Sequence, residues 1–289
     1  MPSAAIAVTT AHIQPSNIRP AMAPNTGWAQ GTSFSHKLET TRAPVFTADA
    51  DAAANQRASQ LLTDTLKLLG DALAPQRRVV HAGDLIHQAG ERFGSLYIVN
   101  SGFFKIVNQA PDGREQVVGL KFRGDWLGFD GIANRQYACD AVAMDTGEVW
   151  VTGYEALLAA CARQPALLTV LHEAMSRDIA RDRDSLMSVC TLPAGARVAD
   201  FLRYWAESMA RRGMRTDQIT LRMTRAEIGN YLGMTLETVS RALSKLARDK
   251  VISFADKGHR DVQIPDVGAL SAFVQRCLAP ASNPLPMLQ

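Results

Sequence analysis

Apolar residues along this 289-residue chain change their period several times, and each change predicts a different kind of structure. Residues 1–52 are rich in Ala, Pro, Thr and Ser with no sustained period, which predicts a disordered N-terminal arm. From about Asn55 to Leu73, Leu61, Leu62, Leu66 and Leu69 recur at helical spacing, with Gly70 near the end of the predicted helix. From Arg77 to about Gly153 the runs shorten and glycines punctuate them. Val79–Val80, Asp84–His87, Leu96–Asn100, Phe103–Gln109, Glu115–Phe122, Trp126–Gly128, Tyr137–Ala143 and Gly147–Thr152 are the candidate strands. Pro111-Asp112-Gly113-Arg114 has the chemistry of a hairpin turn. Short strands at such spacing predict a closed β-roll or jelly roll.

The period then returns to helical. Tyr154–Arg163 reads as a short helix, and a long one starts near Gln164-Pro165. It carries Leu171, Met175, Ile179, Asp182, Leu186 and Val189 at steps of 4, 4, 3, 4 and 3, a coiled-coil-like seam. Its flanks (Arg177, Asp178, Arg181, Arg183, Asp184) are charged, and so narrow a stripe suits a two-fold partner helix. Packing on the chain's own β-roll is the alternative. Asp182 in that seam would face its symmetry mate, and two like charges in a desolvated site repel, which weakens the dimer. The other arrangement turns Asp182 outward to pair with Arg181 or Arg183.

Thr191-Leu-Pro-Ala-Gly195 reads as a hinge, Ala196–Ala210 as a helix stopped by Arg211-Arg212-Gly213, and Gln218–Met223 as a short strand. Thr224 with Glu227 three residues later forms a capping box, and Ile228, Tyr231 and Leu232 follow at helical spacing up to Gly233. Thr235 caps the next helix, whose Leu236, Val239, Leu243 and Leu246 form the expected buried stripe. Glu237, Ser240, Arg241, Ser244, Lys245 and Arg248 lie opposite. A short helix, a glycine turn and a second helix with a polar, basic face predict a helix-turn-helix. Val251–Phe254 and Asp261–Pro265 around a basic tip read as a wing, and Val267–Leu278 as a closing helix. The fold class is α+β: arm 1–52, β-roll cap 53–163, dimerisation helix and hinge 164–191, winged helix-turn-helix 192–279 and tail 280–289.

On the second helix of the pair, Arg241 can fork onto guanine O6 and N7, and Glu237 can accept from cytosine N4. Four residues apart, they share one helix face, with Ser240 between them; the alternative is that they pair with each other. Thr224, Arg225, Thr235, Lys245, Arg248 and Lys257 are candidate contacts to DNA phosphates. The string Ile-Gly-Asn-Tyr-Leu-Gly-x-Thr-x-Glu-Thr-x-Ser-Arg ending at Arg241 closely resembles the recognition helix of the FNR branch of the CRP/FNR transcription regulators. The resemblance runs from about Leu68 to Phe273. Ala82-Gly83-Asp84-x-Ile86 and Leu96-Tyr97-Ile98-Val99-x-Ser101-Gly102 are likewise similar to the cap of cyclic-nucleotide-binding proteins. The resemblance implies a homodimer that reads a TTGAT-N4-ATCAA inverted repeat through Glu237, Ser240 and Arg241. It also implies contact with RNA polymerase, with cap loops such as Ala110–Glu115 as candidate surfaces.

Charge agrees with that division. Residues 192–289 hold 14 Lys/Arg against 9 Asp/Glu, and residues 1–191 hold 17 against 19, so the positive charge is concentrated in the C-terminal third. No apolar run reaches the roughly 18 residues of a membrane span, and Met-Pro-Ser-Ala-Ala-Ile-Ala-Val lacks the basic start of a signal peptide. A cytoplasmic location is expected.

The sensor is where the resemblance breaks. FNR-type oxygen sensors hold a [4Fe-4S] cluster on N-terminal cysteines plus one in the cap, whereas residues 1–138 here contain no cysteine and Trp150 stands at the cap position. That cluster is excluded. The cap's phosphate cassette expects Gly-Glu and then Arg-Ser or Arg-Thr; Gly128-Phe129-Asp130-Gly131 stands there, and Arg135 is displaced. No other cofactor is assigned; a regulator responsive to a cyclic nucleotide, or to haem or nitric oxide, is the alternative, a small ligand stays open, and His81, His87 and Met144 are candidate axial ligands. Cys139 and Cys161 are a candidate redox pair, against the simpler reading of free thiols. A cupin-like enzyme with an appended DNA-binding domain is the alternative of a different class; it needs a metal cluster that His81 and His87 alone do not supply.

Overall fold

Glycine-punctuated strands and periodic helices resolve into one cap, one long helix and one small helical domain. The computed structural model describes residues 48–110, 112–255 and 260–278. Helix α1 (Ala48–Leu73) starts earlier than its apolar period, so residues 48–52, expected in the arm, are helical. The reason is propensity: alanine, the best helix former, dominates 48–54, where a search for periodicity sees nothing.

All eight expected strands form: β1 (Gln76–Val80), β2 (Leu85–His87), β3 (Ser95–Ser101), β4 (Phe104–Gln109), β5 (Glu115–Lys121), β6 (Trp126–Leu127), β7 (Asp140–Ala143) and β8 (Gly147–Gly153). They make two antiparallel sheets, ordered β1-β8-β3-β6 and β2-β7-β4-β5. Val80, Ile86, Val99, Phe104, Leu127, Ala141, Ala143 and Val149 form one buried cluster of this roll. A second cluster lies under α1, α2 (Tyr154–Arg163) and the start of α3 (Pro165–Thr191), where Leu66 and Leu69 meet Phe93, Trp126, Trp150 and Leu157. Trp150 keeps its Nε1 proton bonded to Glu148 at 2.8 Å.

The hinge is shorter than expected. Because α4 (Ala194–Ala210) begins at Ala194, only Leu192-Pro193 separates it from α3. Pro193 sits at φ −60°, ψ 153°, as the residue that opens a helix without donating a proton to it. Then follow β9 (Gln218–Thr220), α5 (Arg225–Leu232), α6 (Leu236–Arg248), β10 (Ser253–Phe254), β11 (Asp261–Gln263) and α7 (Val267–Leu278), with a β10-β11-β9 sheet.

Around α4, an apolar and a polar contact join the cap to the helical domain. The apolar join is aromatic: Phe103 stacks on Trp205 of α4 at 5.7 Å between centroids, and Phe122 meets it edge-on at 5.5 Å. The polar join is a buried carboxylate. Asp125, 7 % exposed in the turn between β5 and β6, accepts the Phe122 N–H at 2.9 Å. It also accepts Arg181 of α3 at 2.9 and 3.0 Å, and Arg212, just past α4, at 2.9 Å. Arg212 further donates to the carbonyls of Arg123 and Ser208, both at 2.7 Å. On α1, Leu62 lies over Gly124 and Ser59 over Gly213, the neighbours of Asp125 and Arg212, so the helix covers the ionic contact.

Burial by itself would push the Asp125 carboxyl up, but Arg212 and Arg181 overcome it and hold it below the ordinary 3.8. A depressed folded-state value adds stability that is present above 3.8 and lost as pH falls through the lower folded value. Asp125→Ala leaves the buried Arg212 guanidinium without its counter-charge and takes the nearest carboxylate from the partly exposed Arg181, and should cost about 3–5 kcal/mol. In urea melts the variant is expected to lose stability at neutral pH and to approach the parent at strongly acidic pH. A constant difference across that range would contradict the assignment.

Candidate nucleic-acid interface

The helix pair is built by its caps. Thr224, at φ −67° and ψ 161°, accepts the Glu227 N–H at 3.2 Å, and Glu227 takes the Thr224 N–H at 2.7 Å and its hydroxyl at 2.8 Å. The capping box read from the spacing is therefore complete. Gly233 ends α5 at φ 64°, ψ 44°, the left-handed conformation that favours glycine. Thr235 caps α6 by accepting the Thr238 N–H at 3.3 Å. Two residues not singled out in the sequence complete the turn. A Cβ on Gly229 would stand 2.6 Å from the Met234 carbonyl, so the helices cross this closely only with glycine there. Arg197 of α4 donates to the carbonyls of Leu232 (2.9 Å) and Leu192 (2.8 Å), placing a cation at the C-terminus of α5.

Helix α6 buries Val239, Ala242, Leu243 and Leu246. Leu236, expected in that stripe, is 45 % exposed, because the side chain of a first helical residue points back past the helix end. Glu237, Arg241, Ser244, Lys245 and Arg248 are set on the opposite side; Glu237, Arg241 and Ser244 are exposed and Ser240 is half-buried. Arg241 Nε approaches the Glu237 carbonyl at 3.4 Å, and among the described residues their side chains form no ion pair. The Glu237 carboxylate is held below its ordinary range by its own backbone N–H and the Thr235 hydroxyl, which keeps it an acceptor. The outer face thus offers a forked donor and a carboxylate acceptor side by side. Lys245 Nζ lies 5.8 Å from the Phe273 ring of α7. Arg225 is half-buried, the hydroxyls of Thr224 and Thr235 are engaged in capping, and Lys257 lies outside the described residues.

The inner side of α5 docks on the cap. Asn230 accepts the Val117 N–H of the edge strand β5 at 2.6 Å and donates to the Glu115 carbonyl at 2.7 Å, as a neighbouring strand would. Lys105 of β4 pairs with Glu227, and Arg222 lies 3.4 Å from Asp145. Burial pushes the Glu227 carboxyl up, but Lys105 and the Thr224 N–H outweigh it, so the carboxyl sits below its ordinary value.

On α3 the seam is only partly free. Leu171 is buried in the cap's own cluster with Met175 packed beside it, and Val189 lies against Gly233, so these positions serve the chain's own packing. Ile179 (49 % exposed) and Leu186 (65 %) face outward, joined by Met187, which the spacing had not selected. Asp182 is exposed, and burial is the leading influence pushing its carboxyl up. Arg181 is turned to Asp125, which removes it as the outward partner considered for Asp182.

The candidate axial ligands fall in different surroundings. His81 is exposed near Asp84 at 3.8 Å, Met144 packs with the cluster around Trp205, and His87 is buried. Among the described residues no group of three or more His, Cys, Asp or Glu could hold a metal ion. All four cysteines are free thiols; burial pushes the Cys139 thiol up to about 11, and Cys161 lies buried in α2. No described helix is long and apolar enough to cross a membrane.

Comparison with known proteins follows the same division. A model of the cyclic nucleotide-binding domain matches residues 77–164, and one of the Crp-like helix-turn-helix domain matches residues 196–273. The fumarate and nitrate reduction regulatory protein of Yersinia pestis is 32 % identical over 187 residues, covering 65 % of this chain and 75 % of that protein. The structure of FixK2 from Bradyrhizobium japonicum superposes with a TM-score of 0.60 at 25 % identity, over 68 % of this chain and 96 % of that one. A CRP-family transcriptional regulator from Thermus thermophilus shares the fold with a TM-score of 0.56 at 22 % identity, over 70 % and 98 %.

Because Thr224 both caps α5 and orients the carboxylate that Lys105 grips, Thr224→Ala should cost about 1 kcal/mol of stability. Chemical denaturation of the two proteins measures this; an unchanged midpoint would show that the box contributes nothing.

Proposed function

The chain belongs to the CRP/FNR superfamily of DNA-binding transcription regulators, and on that premise we propose that it acts as a homodimer reading a TTGAT-N4-ATCAA inverted repeat. The observation that carries this reading is the outer face of α6, where Glu237 and Arg241 stand exposed on one helix face with Ser240 between them. In the major groove Arg241 reads guanine, Glu237 accepts from cytosine, and Ser240 meets a thymine methyl or a base edge. Thr224, Arg225, Thr235, Lys245, Arg248 and Lys257 set the register by contacts to phosphates, the two threonines through their exposed helix N-termini.

Two copies associate along α3 through Ile179, Asp182, Leu186 and the adjoining Met187, placing the two recognition helices on half-sites one DNA turn apart. The segments then divide the work: an arm before α1, a cap from α1 to α2, the dimer helix, and the winged domain from Leu192. The dimer controls transcription through RNA polymerase in the cytoplasm. The exposed Asp112–Glu115 end of the β4–β5 hairpin is the candidate contact, its base already held by Asn230. A [4Fe-4S] cluster held by the FNR cysteine motif is left out of this reading, since residues 1–138 carry no cysteine.

Arg241→Ala should weaken binding to the TTGAT repeat by about 1–3 kcal/mol and binding to random DNA by less. Equal losses on both, in titrations at one salt concentration, would sink the base-reading role. Two unit charges about 4 Å apart in water repel by about 1 kcal/mol, so Asp182→Ala should tighten the dimer roughly fivefold in sedimentation equilibrium. An unchanged or weaker dimer would remove Asp182 from the seam.

A further inference from the structure

The cap matches a cyclic nucleotide-binding domain, yet its residues do not fit a cyclic nucleotide. After β6 the chain turns at Gly128, which takes φ 95° and ψ 7°, into a single 3-10 turn, Phe129–Gly131. The turn is pressed against aromatic rings: a Cβ on Gly131 would stand 2.6 Å from Phe93, and one on Gly128 3.0 Å from Tyr137. That packing delivers the Asp130 carboxylate to the start of β7. There a single oxygen, Oδ2, accepts the N–H of Ala138 at 2.8 Å and of Cys139 at 3.0 Å.

Two successive backbone N–H groups converging on one point form a concave anion nest, the device proteins use to hold phosphate. Here the anion comes from the chain. The one arginine in the loop does not help an external phosphate: Arg135 lies 3.5 Å from Glu155 and over the ring of Tyr154, turned toward α2. Beneath the loop, His87 is 2 % exposed and stacks on Tyr137 at 4.1 Å, with neither ring nitrogen hydrogen-bonded. Burial lowers its pKa against the opposing pull of the Asp130 carboxylate. A phosphate ester approaching this position meets an occupied pair of donors and a carboxylate of its own sign.

We propose that Asp130 is a tethered anion filling the cap's phosphate nest, so that the cap is closed to cyclic nucleotides and other phosphate esters by its own side chain. A group held on so short a loop competes as an intramolecular ligand, at an effective concentration on the order of millimolar or above. Removing the carboxylate therefore opens a site that the parent chain keeps shut.

The test follows the Ala138 and Cys139 amide resonances of the full-length, isotope-labelled protein during titration with inorganic phosphate and, separately, cyclic AMP. It reads the cap alone, so its outcome is independent of whether the recognition helix reads the TTGAT repeat. In the parent protein both amides should stay unmoved up to about 1 mM of either compound, the range in which the tethered carboxylate outcompetes a free anion. In Asp130→Ala both should shift saturably with inorganic phosphate, at concentrations at least tenfold lower than any response of the parent. A further gain with cyclic AMP would show that the rest of the cap still receives the nucleoside, and an equal response would confine recognition to the nest; either supports a filled nest. If Asp130→Ala loses the amide dispersion of the folded cap, Asp130→Asn keeps the loop acceptor without its charge and should respond at least threefold more strongly than the parent. Saturable cyclic AMP binding by the parent, or a folded variant whose two amides ignore phosphate, would overturn the proposal.

Discussion

The Asp125 carboxylate is the point on which the arrangement of the whole chain turns. It sits in a cap turn, yet its partners are Arg181 on the long helix and Arg212 at the end of the first helix of the DNA-binding domain. A buried ion pair seldom adds net stability over an apolar contact of the same size, because desolvation cancels most of the attraction. Its effect here is directional. The ring contacts of Phe103 and Phe122 with Trp205 supply apolar burial between the two domains, and the Arg212 fork adds direction by bonding Asp125 and the Arg123 carbonyl at once. Helix α1 preserves that selectivity by covering the contact, since water in the gap would raise the local dielectric and weaken every attraction there.

Most elements were legible in the sequence because their signals are local. The capping box at Thr224 and Glu227, the left-handed Gly233 and the helix from Val267 to Leu278 each depend on residues within one or two turns of one another. The first turn of α1 escaped because alanine carries propensity without periodicity. The seam is legible as a stripe and not as an interface for a different reason: steps of three and four say that a face is apolar, not what covers it. Leu171 faces the cap and Val189 the glycine turn of α5, while Met187, off the stripe, points to solvent.

The contacts that set the site's orientation were illegible for one shared reason. Asn230 meets β5 across more than a hundred residues of chain, Arg212 meets Asp125 across nearly ninety, and Arg222 reaches Asp145 across the same boundary. No spacing rule links residues so far apart. Asp130 lies eight residues from its partners, yet it too was hidden, because the groups that make a nest are backbone donors, which nearly every residue carries. The proposed recognition face depends on no such contact, since Glu237, Ser240 and Arg241 were read from their identity and their spacing on one helix.

Helix α3 carries an inward and an outward charge on adjacent residues. Arg181 points inward and ties α3 to Asp125 of the cap, the same carboxylate that holds Arg212 of the helical domain, while Asp182 is exposed on the side where Ile179 and Leu186 lie bare. One turn earlier, Lys121 of β5 holds Asp178, and near the C-terminus Ser188 donates to Asp200 of α4 at 3.1 Å. A rotation of α3 that improved its outer packing would therefore drag on Asp125, β5 and α4 together. Coupling free energies are reciprocal, so whatever partner engagement on the outer face does to the pose of α4 and α5, DNA bound by α6 does in return to partner affinity. With the nest in the cap already filled by Asp130, the bare face of α3 is the part of this machinery still open to a partner.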